Sequence, residues 1–169
     1  MELWNGTSRV TPFCAAMASG GVIVVAVTDL DGETLPMIER SNPAGLHRPP
    51  GYHHVTVVQP GVTVHLAGQC PLDINGTLVG DGDVVAQAEQ VARNIESALS
   101  FAGATPSDVV RTVIYVASDD RAALSDVWTS LTSSAVADAF LSAATLLGVA
   151  QLGFAGQLVE VDVTAALTS

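Results

Sequence analysis

The stretch that decides the fold is Ser142–Leu152 (SAATLLGVAQL) followed by Leu158–Val163 (LVEVDV). The first segment is nearly all apolar and the second alternates in polarity, so both predict β-strands. Glu160 and Asp162 fall on one face of the second strand, and its valines fall on the other. Since no arginine or lysine follows Arg121, nothing later in the chain can pair with Glu160. A carboxylate in the closing strand of an apolar sheet is therefore a candidate functional group.

Upstream of these strands, the sequence alternates between strand and helix patterns. Short strands are predicted at 54–58 and 62–67, and the turn pair Pro60-Gly61 predicts that they form a hairpin. The remaining predicted elements are a helix capped by Asp83 and ending near Ala102, a strand at Val109–Val116, and a second helix capped by Asp119 or Asp120.

The order of hairpin, helix, strand, helix and two strands predicts an α+β domain with two layers. Antiparallel pairing would place both helices on one face of the sheet. The other face is expected to be apolar and uncovered, and self-association would bury it. Charged residues make up 14% of the chain, against about 25% in ordinary soluble domains. This scarcity also indicates an oligomer.

The charge of the chain excludes several functions. The net charge is −11, and all six basic residues are arginines. The absence of lysine excludes a lysine Schiff base and a P-loop. The arginines are dispersed, which disfavours nucleic-acid binding. No apolar run approaches the length needed to cross a bilayer, so no membrane partner is predicted.

Cysteine and histidine usage predicts a reduced, cytoplasmic protein without a metal or other cofactor. Cys14 and Cys70 are far apart in sequence and form no CxxC pair. His53 and His54 are adjacent, so on a strand they would point to opposite faces. Nothing local would lower the pKa of the Cys70 thiol, and a small buried hydrophobic residue is the preferred interpretation there.

Five further motifs precede the closing strands in a fixed order: Gly51-Tyr52, Ala67-Gly68-Gln69, Gln87, Asn94 and Ala102-Gly103. From about residue 41 to residue 167 the chain resembles the Rid/YjgF family of reactive intermediate deaminases, also called endoribonuclease L-PSP. The resemblance implies a YjgF/chorismate-mutase-like fold and a homotrimer. It also implies a small-molecule ligand in a cleft between subunits.

The same resemblance assigns roles to two residues. It implies that Glu160 positions the water that attacks an imine carbon, and that Tyr52 lines the ligand pocket. Alternatively, Glu160 is solvated or pairs with an arginine of a neighbouring subunit. For Tyr52, the alternative is an aromatic residue that packs at a subunit interface without contacting a ligand.

One position departs from the family pattern. Typical deaminases open the penultimate strand with Pro-Ala-Arg, and the arginine holds the substrate carboxylate. Here the residues are Ser142-Ala143-Ala144. Arg111 could replace the arginine by forming a buried bidentate pair with Glu160, and Arg93 is a second candidate. Thr145 could offer a hydroxyl to the ligand or simply pack in a central strand.

Two functions therefore remain open. The first is hydrolysis of an imine, an enamine or a related metabolite without the usual arginine. The second is a non-catalytic trimer that binds a small molecule or a protein partner. The resemblance covers a domain at 37–169, and residues 1–36 are interpreted as an extension upstream of a start at Met37. The rival interpretation is an extra strand at Val22–Val27.

Overall fold

The computed structural model describes residues 36–167, so the predicted strand at Val22–Val27 lies outside the described residues. Six strands and two α-helices form within this range. The strands are β1 (Ile38–Ser41), β2 (Val55–Val58), β3 (Val62–His65), β4 (Val109–Val116), β5 (Ala143–Gly148) and β6 (Val159–Leu167), and the helices are α1 (Val84–Phe101) and α2 (Arg121–Thr132).

The main sheet has four strands in the order β3-β6-β4-β5. β6 lies inside the sheet and pairs antiparallel with both β3 and β4. β4 and β5 pair in parallel, with Thr112 opposite Ala144. The prediction of purely antiparallel pairing is therefore wrong for this pair. α2 connects β4 to β5, and a helical crossover of this kind returns the chain in the same direction.

The predicted hairpin is also wrong. β2 pairs with β1, with Thr56 opposite Arg40, and these two strands form a separate small sheet. β3 pairs with β6 instead, with Val64 opposite Ala165. Gly61, between β2 and β3, lies so close to β6 that an added Cβ would be 2.8 Å from the Leu167 carbonyl oxygen. The chain therefore crosses from the small sheet to the main sheet at the Pro-Gly pair.

The predicted two-layer arrangement is confirmed, with the core between the helices and one face of the main sheet. α1 begins at its predicted cap, because the Asp83 carboxylate accepts from the backbone amides of Val85 and Ala86. Asp120 caps α2 in the same way. Valine and isoleucine side chains from the inner face and from α1 are fully buried: Val91, Ile95, Ile114, Val116, Val159 and Val161.

Two polar residues of α1 fasten the loops around the sheet. Gln87 is fully buried. Its amide donates to the carbonyl oxygens of Gly80 and Gly156, and its side-chain oxygen accepts from the backbone amide of Leu158. This fixes the start of β6. Further along the helix, the Asn94 amide donates to the Cys70 and Leu72 carbonyl oxygens and so fixes the loop that follows β3.

Candidate active site

The face of the main sheet that points away from the helices carries the candidate site. Tyr115 of β4 lies directly opposite Glu160 of β6, and Val113 lies opposite Asp162. Arg111 is on the same face at the start of β4. Because strand residues alternate between faces, the charged residues collect here, while the residues between them, such as Ile114 and Val161, enter the core. The expectation of an apolar uncovered face is therefore wrong along β4 and β6.

Glu160 is held by a buried amide. The Gln157 amide nitrogen donates to Oε2 of Glu160 at 2.9 Å. Gln157 is only 4% exposed. Its other contacts are backbone atoms, since it also donates to the Val159 carbonyl and accepts from the Phe154 amide. A side chain bonded on both sides to backbone has little freedom, so one oxygen of Glu160 is fixed in place.

The second oxygen of Glu160 faces the segment that follows β3. Oε1 lies against Gly68, where an added Cβ would collide with it and would approach the carboxyl carbon to 2.9 Å. The next residue, Gln69, exchanges two backbone hydrogen bonds with Val161 of β6. The Ala67-Gly68-Gln69 motif therefore has a local explanation, because glycine leaves the space that the carboxylate occupies.

Cys70 completes this cluster. Its thiol donates to the Gly68 carbonyl oxygen at 3.6 Å. Partial burial raises the pKa of the Cys70 thiol, and the negative charge of Glu160 raises it further. The Cys70 side chain is half-buried, whereas a small buried hydrophobic residue was predicted. Cys70 and Gly68 are two positions apart on an extended segment, so they lie on the same side of it, toward Glu160.

Tyr115 flanks the site on the other side. Its hydroxyl donates to Oδ2 of Asp162 at 3.1 Å. This hydrogen bond raises the pKa of Tyr115, and desolvation and the neighbouring carboxylates add to the effect against the opposing charge of Arg111. Tyr115 was not among the predicted site residues, although its alternation with Ile114 along the strand was a usable signal.

The structure does not bring Tyr52 to Glu160 within one chain. The Tyr52 ring meets Trp128 of α2 edge-on at a centroid distance of 6.3 Å, and it meets His54 at 5.6 Å. Its hydroxyl lies 3.3 Å from Nε2 of His47. Tyr52 is therefore packed on the helix layer, whereas Glu160 faces away from that layer.

Two other predicted site residues, Thr145 and Arg111, are on the sheet but far apart. Thr145 lies on the open face opposite Val113, on β5 at the edge of the sheet and not on a central strand. Arg111 is four positions before Tyr115, which is about 13 Å along a strand. The proposed bidentate pair with Glu160 is therefore not formed. Arg93 donates to the Gln90 side chain on the surface of α1.

A wide groove of about 900 Å³ runs beside the cluster, along β3 and α1. Cys70 and Gly68 belong to its lining, together with large apolar side chains. Ile74 is 100% exposed, Phe101 is 95% exposed and Phe154 is 52% exposed. Apolar surface of this kind is typical of an interaction site.

Within residues 36–167, no three His, Cys, Asp or Glu side chains are grouped so that they could hold a metal ion. None of the helices described there has the length and apolar composition that a membrane span requires.

Residues 46–167, well over half of the chain, match the model of the endoribonuclease L-PSP family. The chain belongs to this family. Among individual proteins, DfrA of Myxococcus xanthus is 40% identical over 65 residues, which are 38% of this chain and 50% of DfrA. A RutC family protein of Pyrococcus abyssi is 32% identical over 72 residues, which are 42% of this chain and 57% of that protein. The matches thus span about half of each relative.

Solved structures of Rid/YjgF proteins show the same fold. YyfB of Yersinia pestis, a Rid-family protein of unknown function, is 34% identical with a TM-score of 0.71; the match covers 78% of this chain and 100% of YyfB. Rv2704 of Mycobacterium tuberculosis, a YjgF/YER057c/UK114 family member, is 27% identical with a TM-score of 0.52; the match covers 77% of this chain and 99% of Rv2704. The predictions of family and of fold class are confirmed.

The residue that stands where the resemblance predicts an arginine has a defined place in this L-PSP family fold. Ala144 lies opposite Thr112, on the helix side of the sheet. Glu160 lies on the other side. Within one chain, the two positions are therefore on opposite faces of the sheet, and a long side chain at 144 would not extend over the Glu160 cluster.

Proposed function

We propose that this family member hydrolyses a small molecule that contains a carbon–nitrogen double bond, with Glu160 activating the attacking water. The observation that carries the proposal is the setting of the Glu160 carboxylate. Gln157 fixes one of its oxygens, while the other lies beside Gly68 on the uncovered sheet face. A fixed carboxylate with a free oxygen can take a proton from water, which is the role of a general base.

The proposed site is completed by a neighbouring copy of the chain in a homotrimer. Tyr52 packs on the helix layer and Glu160 faces away from it, so only two different copies can bring these residues to one ligand. The apolar groove beside Cys70, with its exposed Phe101 and Ile74, supplies surface for such a contact. In this arrangement Tyr52 of one copy covers the ligand, and Thr145 offers a hydroxyl to the atom that gains negative charge.

The charges on the face favour a substrate without an α-carboxylate. Glu160 and Asp162 bring two carboxylates to this face, against the single guanidinium of Arg111. Arg111 is about 13 Å from the Glu160 position along the strand, and Ala144 carries no charge. A neutral or cationic imine therefore fits this face better than a 2-iminoacid anion or a nucleic-acid phosphate.

A second candidate function is a non-catalytic trimer that binds a small molecule. The observation in its favour is that Tyr52 is fully accounted for by packing, since it contacts His47, His54 and Trp128. The presence of Ala144 where the resemblance predicts an arginine supports the same candidate.

The test compares ammonia release from a carboxylate-free imine with release from enzymatically generated 2-iminopropanoate, each corrected for the spontaneous rate. We expect the wild type to prefer the carboxylate-free substrate. Glu160→Gln should lower kcat by about 100-fold or more, because the general base is lost. Asp162→Asn is the matched control, since it removes a carboxylate from the same face without touching the base, and its kcat should stay close to wild type.

The outcomes separate the two candidates. If the wild type releases no ammonia above the spontaneous rate from either substrate, the hydrolase proposal fails and the binding candidate stands. If Glu160→Gln and Asp162→Asn lose activity equally, Glu160 has no special role. Analytical ultracentrifugation of the wild type tests the trimer separately from the chemistry, and a monomer at micromolar concentration would contradict a site built between copies.

A further inference from the structure

The start of β6 is held from the helix layer by one buried side chain. Gln87 of α1 is fully buried. Its amide nitrogen donates to the Gly156 carbonyl oxygen at 2.9 Å, and its side-chain oxygen accepts from the Leu158 backbone amide at 2.7 Å. These two backbone groups lie immediately before and after Gln157. Gln87 therefore clamps the backbone on both sides of the residue that holds Glu160.

The side chain of Gln157 continues this path to the open face of the sheet. Its amide nitrogen donates to Oε2 of Glu160 at 2.9 Å and to the Val159 carbonyl oxygen at 3.2 Å, and its oxygen accepts from the Phe154 backbone amide at 3.0 Å. Both N–H donors of the amide are therefore in use. A flipped amide would turn its oxygen toward two other acceptors, so the side chain has one orientation.

We infer that Gln87 and Gln157 form a positioning relay, which runs from the helix layer to the base on the opposite face and sets the direction in which Glu160 accepts a proton. This inference rests on the proposed function and adds two positioning residues to it. Both glutamines act through Glu160 and neither touches the reacting atoms.

The base needs such a relay because a glutamate carboxylate turns easily. The last torsion of a glutamate side chain has a broad range, so an unheld Glu160 would point its oxygens in many directions. Here the hydrogen bond from Gln157 fixes Oε2, and the missing side chain of Gly68 leaves the space that Oε1 occupies. Displacement of a reacting group by about 1 Å can lower a rate about 100-fold.

The residue type at both positions of the relay follows from what each must bind. Gln87 faces a carbonyl oxygen and an N–H group at once, and so does Gln157. An ionised carboxylate could not donate, and a lysine or arginine could not accept. An amide side chain does both and brings no charge to the carboxylate of Glu160.

The first arm of the test is a double-mutant cycle on hydrolysis of the carboxylate-free imine. Gln157→Met keeps the length of the side chain and removes its donors, and Gln151→Met, at an exposed position of the loop before β6, is the matched control. We expect Gln157→Met to lower kcat by at least about 10-fold and to change KM little, whereas Gln151→Met should keep the wild-type kcat.

The decisive comparison repeats Gln157→Met in the Glu160→Gln background. With no base left to position, the second substitution should change the residual kcat by less than about twofold. A general loss of structure would lower the rate by the same factor in both backgrounds. Gln87→Met is a second variant for the same cycle, and its fall in kcat should likewise disappear when Glu160 is replaced.

The second arm needs no substrate and leaves Gln157 unchanged. The two side-chain amide protons of Gln157 are followed by nuclear magnetic resonance in the wild type, Glu160→Ala and Asp162→Asn. Loss of the charged acceptor should move one of these resonances upfield in Glu160→Ala, and Asp162→Asn should leave both in place. Unmoved resonances in Glu160→Ala would mean that Gln157 does not hold the carboxylate and would overturn the inference.

The kinetic outcomes separate the relay from the proposed function. A wild type that hydrolyses no imine overturns the proposed function, and the relay falls with it. An active wild type overturns the relay alone if Gln157→Met keeps the kcat of Gln151→Met, or if Gln157→Met costs the same factor with and without Glu160.

Discussion

The two faces of the main sheet are built from the same strands but have opposite characters. Ile114 and Tyr115 are neighbours on β4. Ile114 is fully buried under the helices, and the Tyr115 hydroxyl bonds to Asp162 on the open face. Alternation in β6 separates Val161 from Glu160 in the same way. One face therefore determines stability and the other carries the chemistry, so substitutions on adjacent residues should have separable effects.

The largest expected effect comes from a cavity on the helix side. Ile114→Ala should lower the free energy of unfolding by about 4 kcal/mol, because the buried side chain leaves a hole that rigid neighbours cannot fill. Val113→Ala, one residue away on the open face, should cost less than about 1 kcal/mol. Urea unfolding of both variants measures the difference, and similar losses would contradict the contrast between the faces.

The next effect concerns the hydrogen bonds that Gln87 of α1 makes to the loops around the sheet. Gln87→Leu should lower the free energy of unfolding by about 3 kcal/mol, because the Gly80 and Gly156 carbonyls and the Leu158 amide lose their partner. Gln90→Leu, one turn later on α1, is the matched control and should cost about 1 kcal/mol, since Gln90 is only partly buried. Thermal unfolding of the two variants provides the measurement. If Gln90→Leu lowered the free energy of unfolding as much as Gln87→Leu does, burial would not explain the difference.

The character of each face was predictable from local sequence, whereas the pairing of strands was not. Alternation in Leu158–Val163 predicted a strand there, and β6 extends it to Leu167. The aspartates that cap α1 and α2 were visible because caps act over three residues. The partners of β2 and β3 depend on β1 and β6, which are distant in sequence. A Pro-Gly pair has the same local preference whether it closes a hairpin or passes between sheets.

The candidate site shows the same limit. Glu160 stood out because a carboxylate in an apolar strand is unusual. Its approach to Gly68 follows from the register between β6 and the segment after β3, and no local pattern encodes that register. The position of Tyr52 on the helix layer likewise depends on its packing against Trp128, which is 76 residues later in the chain.

A smaller change in stability, of opposite sign, is expected at Thr112. Among the described residues, it holds the only buried side-chain nitrogen or oxygen without a hydrogen-bond partner. The Thr112 hydroxyl is fully buried and has no hydrogen-bond partner there. Thr112→Val keeps the shape and removes the desolvated hydroxyl, so it should raise the free energy of unfolding by about 1 kcal/mol. Thr145→Val, on the open face of the adjacent strand, should change it little. A destabilised Thr112→Val in urea unfolding would mean that the hydroxyl has a partner.

The smallest expected effect is a pH dependence that belongs to the open face alone. Burial and Glu160 raise the folded-state pKa of Cys70 above the ordinary thiol value, so the folded chain holds the thiol proton more tightly than the unfolded chain does. That contribution to stability is complete below the unfolded thiol pKa of about 8.5 and is lost as pH rises through the folded value. Cys70→Ser should therefore flatten the fall in melting temperature between neutral and alkaline pH, and Ile114→Val, a change confined to the helix side, should leave its slope unchanged. An equal fall in Cys70→Ser and the wild type would place the alkaline sensitivity elsewhere, with Tyr115 as the next group to replace, because its pKa is also raised.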